Sequence, residues 1–175
     1  DEIQQVLAAS EKGFNEWSAL DIAERKKYVL RIAELFDERQ DELVEIIGRE
    51  MGKSRPHAID EVELSANIFR YYANNGEEFA ADRKIESFNG GTAVIRHLPL
   101  GALVGIMPWN FPYYQVARFA APNLMNGNSI ILKHAEICPE SSAAIQKIIE
   151  DAGVPAGVYQ NVYASHDQIL SLIHI

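Results

Sequence analysis

Apolar residues recur every three to four positions through the first half of the chain and condense into short runs in the second. Ile3, Val6, Leu7, Phe14 and Trp17 fall on one face of a 3.6-residue repeat, which predicts an opening amphipathic helix. Asp21 with Glu24 three residues on has capping-box spacing, so a second helix starts there. Its stripe continues through Ile32, Leu35, Phe36, Leu43, Ile46 and Ile47 to Gly48, with a break expected over 37–41. Ser54, with Pro56 in the first turn, opens a third helix. Ile59, Val62, Ala66, Phe69 and Ala73 form its buried face, and its end is expected near Asn75-Gly76.

Beyond a linker read over 82–89 the texture changes. Asn89-Gly90-Gly91 is a turn signal, and the β-branched stretch 92–98 predicts a hairpin or paired strand. The run 100–107 is apolar with glycines and suits a strand buried on both faces. Pro112 opens a helix to about Asn126, which Gly127 ends in the left-handed conformation. A buried strand over 129–133, a helix over 139–152 closed by Gly153, a strand over 157–163 and a short helix over 167–173 complete the pattern. Strand, helix, strand, helix, strand at this spacing implies right-handed parallel crossovers. The expected fold class is α/β: amino-terminal helices plus part of a doubly wound parallel sheet. Three parts follow: a helical part over 1–85, a strand or hairpin over 86–98, and the first half of an α/β nucleotide-binding unit over 99–175.

Charge sharpens that division. Of the ionisable side chains, 19 acidic and 12 basic lie in residues 1–85, against 6 and 4 in the remainder. The first part therefore carries the solvated faces and the second is the more buried. A net charge of -9 argues against nucleic acid as a partner, because phosphate recognition needs a basic face. One cysteine, Cys138, rules out an internal disulfide and the multi-cysteine zinc sites, and suits a reducing compartment. The five histidines have no metal-ligand spacing, so no metal is expected. No apolar run approaches the roughly 18 residues of a membrane span, and a cytoplasmic location without membrane association is the expectation. The chain starts with Asp rather than Met, which is read as a trimmed amino end.

Two polar residues stand out at the ends of apolar runs. Asn110 lies in Pro-Trp-Asn-Phe-Pro over 108–112, between a strand and a helix, where open α/β sheets bind ligands. Lys133 ends Ile-Ile-Leu-Lys, with His134, Ala135 and Glu136 following. Each has an ordinary alternative: Asn110 as the cap of the next helix, Lys133 and Glu136 as a surface lysine and a helix-start carboxylate. Arg118 sits on an otherwise apolar stretch with Tyr114 one turn earlier, and needs an anionic partner, either a ligand carboxylate or a nearby acid. Tyr114 reads equally well as core. Cys138 begins a helix, which can lower a thiol pKa, but burial as a small apolar residue is the preferred reading. The absence of G-x-G-x-x-G excludes the ordinary Rossmann fingerprint.

The segment 99–112, followed by Ile-Ile-Leu-Lys-His-Ala-Glu over 130–136, resembles the aldehyde dehydrogenase superfamily. Glu50-Met-Gly-Lys53 and Arg70-Tyr-Tyr-Ala73 also look like that family's amino-terminal helices, and the Lys-His-Ala string suits its succinate-semialdehyde branch. The resemblance implies that Asn110 stabilises an oxyanion, that Lys133 and Glu136 hold the adenosine ribose, and that Trp109, His134 and Ala135 lie against the cofactor through their backbone. It implies that Arg118, with Tyr114 lining the same tunnel, clamps a substrate carboxylate. NAD is the implied cofactor, with NADP possible. The substrate is a small aldehyde, and the partner is a second copy in a homo-oligomer.

The family reaction needs a cysteine thiolate that forms a thiohemiacetal and then a thioester, a glutamate that activates water, and a Gly-Ser turn. These are expected beyond Ile175, so the chain is read as an inactive amino-terminal fragment with an open sheet edge prone to self-association. Two further readings are a non-catalytic nucleotide-binding or assembly module, and a relative acting on another aldehyde or an acyl phosphate.

Overall fold

The computed structural model describes residues 2–88 and 90–173, so Asn89 of the expected turn lies outside the described residues. Four helices come first: α1 (Glu2–Ala19), α2 (Ile22–Glu38), α3 (Gln40–Met51) and α4 (Arg55–Phe79). Strands β1 (Arg83–Ile85) and β2 (Ala93–Ile95) follow, then β3 (Ala102–Ile106), α5 (Pro112–Asn126), β4 (Ser129–Lys133), α6 (Pro139–Asp151), β5 (Tyr159–Asn161) and α7 (His166–Ile173).

Asp21 and Glu24 form the expected capping box, the Glu24 amide donating to the Asp21 carboxylate at 2.7 Å and the Asp21 amide donating back at 3.3 Å. The break between α2 and α3 falls at Arg39, whose ψ of 19° leaves the helical path while it serves as the cap of both. Helix α4 outruns its expected end near Gly76 and continues to Phe79. A Cβ at Gly76 would stand 2.7 Å from Met125 Cε, so the glycine admits α5 at close range rather than ending the helix. Gly127 does terminate α5, at φ 92°.

The stretch read as a linker contains β1, which pairs antiparallel with β2, Lys84 opposite Val94. The main sheet runs β3-β4-β5, all parallel. Helices cover both of its faces, because successive side chains of β4 point opposite ways and both sets are apolar. Ile130 and Leu132 join the large core with α2, α4, α5 and α6. Ile131 joins a smaller cluster with Ile3 of α1 and with Ile169 and Leu172 of α7. All five β4 residues are buried. β3 departs from the expectation of burial on both faces: it lies at one end of the three-strand order, and Ile106 is 59% exposed. Among the described residues no helix is long and apolar enough to cross a membrane.

The helical layer also supplies the ends of the helices that flank the sheet. At the carboxyl end of α5, Trp17 Nε1 donates to the Leu124 carbonyl at 2.8 Å and Arg25 Nε to that of Met125 at 3.0 Å. At the amino end of α6, the Glu50 carboxylate accepts from the amides of Glu140 and Ser141. A cation at the carboxyl end and an anion at the amino end each oppose the partial charge of a helix terminus. Burial lowers the Arg25 pKa, though a guanidinium remains charged.

Candidate functional site

Strands β3 and β4 both end at the carboxyl edge of the sheet, where parallel α/β architectures bind ligands. The Met107 amide donates to the Lys133 carbonyl at 3.0 Å, which fastens the loop leaving β3 beside the loop leaving β4. From that junction two surfaces diverge.

The first is a cleft of about 290 Å³ lined by Lys133, His134, Ala135 and Glu136 on one side and by 162–165 on the other. The Lys133 side chain is buried, while Glu136 extends into solvent with its carboxylate 3.9 Å from Lys133 Nζ. Nζ also donates to the His134 carbonyl at 3.3 Å. An ammonium has three protons, so at least one is left for a ligand acceptor among the described residues, and Glu136 offers an acceptor beside it. A buried donor paired with an exposed acceptor suits a vicinal diol.

His134 does more than contribute backbone. Its Nδ1 accepts from the Ala135 amide at 2.8 Å, so the ring proton resides on Nε2 and is donated to the Pro112 carbonyl at 3.0 Å. The imidazole thus bridges the tip of β4 to the first residue of α5. Burial holds its pKa below the ordinary value, partly offset by the bond to Pro112.

The second surface is the turn over 108–111. Trp109 and Asn110 are exposed there, outside the lining of the cleft but at the same sheet edge. Phe111 occupies the cap position of α5 without a side-chain bond, so the capping reading of Asn110 does not hold. The helix start is satisfied from elsewhere: the buried Glu61 carboxylate of α4 accepts from the amides of Tyr113 at 2.9 Å and Tyr114 at 3.2 Å. Glu61 is ion-paired to Lys53, which donates to the Asn110 carbonyl at 3.1 Å and stands 3.9 Å over the Phe111 ring. Phe111, Tyr114 and Arg118 continue along one face of α5, the rings of the first two 5.9 Å apart and the guanidinium 5.6 Å over Tyr114. Arg118 is exposed and has no carboxylate partner among the described residues.

Cys138 is fully buried, its Sγ 3.9 Å from the Trp109 carbonyl. Burial pushes its thiol up to about 11, and the charges of Glu50 and Glu61 push the same way. The helix start does not activate it.

Sequence reading gave no roles to Lys53, Glu61 and Glu50. Glu61 carries a legible signal, since a carboxylate falls between Ala58 and Ser65 within the buried stripe of α4 and a buried carboxylate must be partnered. What it partners is decided by α5, about fifty residues later, and no local pattern carries that.

The model of the aldehyde dehydrogenase family matches residues 1–174. The chain belongs to the aldehyde dehydrogenase family. Among its relatives is the succinate-semialdehyde dehydrogenase [NADP(+)] of Deinococcus radiodurans, 45% identical across 93% of this chain and 34% of the relative. The succinate semialdehyde dehydrogenase [NAD(P)+] Sad of Escherichia coli is 36% identical across 99% of this chain and 37% of its own length. A crystal structure of succinic semialdehyde dehydrogenase from Streptococcus pyogenes in complex with NADP+ superposes with a TM-score of 0.94. At 35% identity it covers 98% of this chain and 38% of that one. The chain thus spans little more than a third of these aldehyde dehydrogenases, and it has the α/β fold of their matching part.

Proposed function

We propose that the complete polypeptide carrying this segment is an NAD(P)-dependent aldehyde dehydrogenase that oxidises succinate semialdehyde to succinate. The observation that carries the reading is the Asn110 turn and the Lys133 cleft side by side at the carboxyl ends of adjacent parallel strands, joined through Met107. The names of the relatives supply the substrate and the dinucleotide.

When bound, the dinucleotide accepts a hydride from the substrate. Lys133 donates to the hydroxyls of its adenosine ribose and Glu136 accepts from them. His134 and Ala135 line the cleft, and Trp109 meets the dinucleotide through its backbone from the adjoining turn. Glu136, within hydrogen-bonding reach of those hydroxyls, repels a 2′-phosphate there and so favours NAD over NADP. The Asn110 carboxamide donates to the aldehyde oxygen as negative charge develops there. A donor so placed contributes roughly 3 kcal/mol to lowering the barrier. Arg118, stacked on Tyr114, takes the substrate carboxylate in a bidentate fork. The thiolate must come from outside these 175 residues, because Cys138 is buried and protonated at neutral pH. The isolated chain therefore does not turn over. The exposed Val94, Leu98 and Leu100 in and beyond β2 support a homo-oligomer, which sedimentation tests.

The decisive assay is aldehyde-dependent NAD(P)H formation by the complete polypeptide, compared with its Arg118→Leu variant. Efficiency toward succinate semialdehyde is expected to fall about tenfold or more, with little change toward an uncharged aldehyde. Equal losses on both remove the carboxylate clamp.

A further inference from the structure

We propose that Lys53 and Glu61 form a positioning latch that fixes the 108–111 turn, and with it the aim of the Asn110 carboxamide; the inference rests on the function proposed for Asn110. The turn itself is poorly restrained. Trp109, Asn110 and Phe111 are exposed, and prolines at 108 and 112 remove two amides that could otherwise anchor it. Its neighbours hold it by backbone instead. Lys53 grips the Asn110 carbonyl from one side and covers the Phe111 ring. Glu61 grips the next two amides, Tyr113 and Tyr114, on the helix that the turn feeds.

The two grips are one unit, because the ammonium and the carboxylate are paired with each other in a site that solvent hardly reaches. Neither belongs to the motif that contains Asn110. Lys53 lies just past the left-handed Gly52 that ends α3, and Glu61 lies in the second turn of α4. The helical layer therefore reaches across to set one residue of the loop after β3. A carboxamide acts on a developing charge only if its N–H is aimed before the charge appears, and misplacement by about 1 Å costs on the order of a hundredfold. The latch addresses aim, not chemistry: its ammonium meets the Asn110 backbone rather than a reacting atom.

The test uses the complete polypeptide with Lys53→Met, Lys53→Arg and Glu61→Gln, read by steady-state kinetics and by hydrogen exchange of peptides spanning 109–114. Lys53→Met is expected to accelerate exchange in that window about tenfold and to lower kcat about tenfold or more, leaving the dinucleotide KM unchanged. Lys53→Arg keeps a charged donor and should recover most of both. Glu61→Gln keeps an acceptor for the Tyr113 and Tyr114 amides but loses the ion pair, and should fall between. Wild-type kcat in Lys53→Met, or a lowered kcat with unchanged exchange, overturns the latch. If Lys53→Met does not fold, Glu61→Gln decides, and wild-type exchange and kcat in that variant overturn it equally. A polypeptide that oxidises no aldehyde at all sinks the functional reading instead. The exchange arm then still separates a turn held by Lys53 from one that is not.

Discussion

At the tip of β4 the polar side chains are held locally, Lys133 by the carbonyl of the next residue and by Glu136 three positions on. At the tip of β3, one strand away, Asn110 is held through its backbone by Lys53, 57 positions earlier. The first arrangement leaves a buried cation with a free proton beside an exposed carboxylate. The second leaves an exposed carboxamide on a turn whose supports are buried. The difference teaches where each tip is vulnerable: ligand binding should suffer at β4, and the fold together with the chemistry at β3.

The largest contrast is in stability. Glu61→Leu strips the amino end of α5 of its acceptor and leaves the Lys53 charge buried without its partner, at a cost of about 3 to 5 kcal/mol. Glu136→Leu removes a solvent-exposed carboxylate that meets Lys133 only at 3.9 Å and should cost no more than about 1 kcal/mol. Urea unfolding of the 175-residue chain measures both, and equal midpoints for the two variants break the comparison.

Ligand affinity reverses the order. Lys133→Met should weaken dinucleotide binding by the complete polypeptide about tenfold, roughly 1.4 kcal/mol, as read by calorimetric titration. Glu61→Gln, which keeps the amide acceptor, should leave that affinity unchanged. An unaffected affinity in Lys133→Met removes the ribose contact.

The smallest effect is the pH dependence of the bridge between the two tips. His134 has a pKa below its unfolded value of 6.5, with burial the largest cause. Between the folded and unfolded values the unfolded chain binds more protons, so stability rises with pH there. The contribution is complete above the unfolded value and is lost as the pH falls through the folded one. The wild-type chain should therefore lose more stability than His134→Asn as the pH falls below about 6.5. Parallel curves contradict a buried neutral imidazole.

The two tips also differ in how legible they are in sequence. Ile-Ile-Leu-Lys reads as a buried strand ending in a cation, and β4 is just that, because its character is written in its own unbroken apolar run and terminal lysine. The capping box at Asp21 and the terminator at Gly127 are legible for the same reason. Gly76 misleads because its glycine serves a neighbour, Met125, rather than its own helix. The run before Met107 misleads because apolar composition does not reveal which strand lies at the end of the order. Strand β1 escapes notice because its three residues, Arg83 to Ile85, are exposed and carry no apolar alternation. At the candidate site the motif residues are contiguous and readable. Their supports, Lys53, Glu61 and the His134 ring, act across tertiary contacts that no spacing rule encodes.

The account stands most directly on Asn110. Steady-state kinetics of the complete polypeptide bearing Asn110→Ala should show kcat for succinate semialdehyde reduced on the order of a hundredfold, with dinucleotide affinity unchanged. A wild-type kcat in that variant, or a loss confined to dinucleotide binding, contradicts an oxyanion donor at the tip of β3.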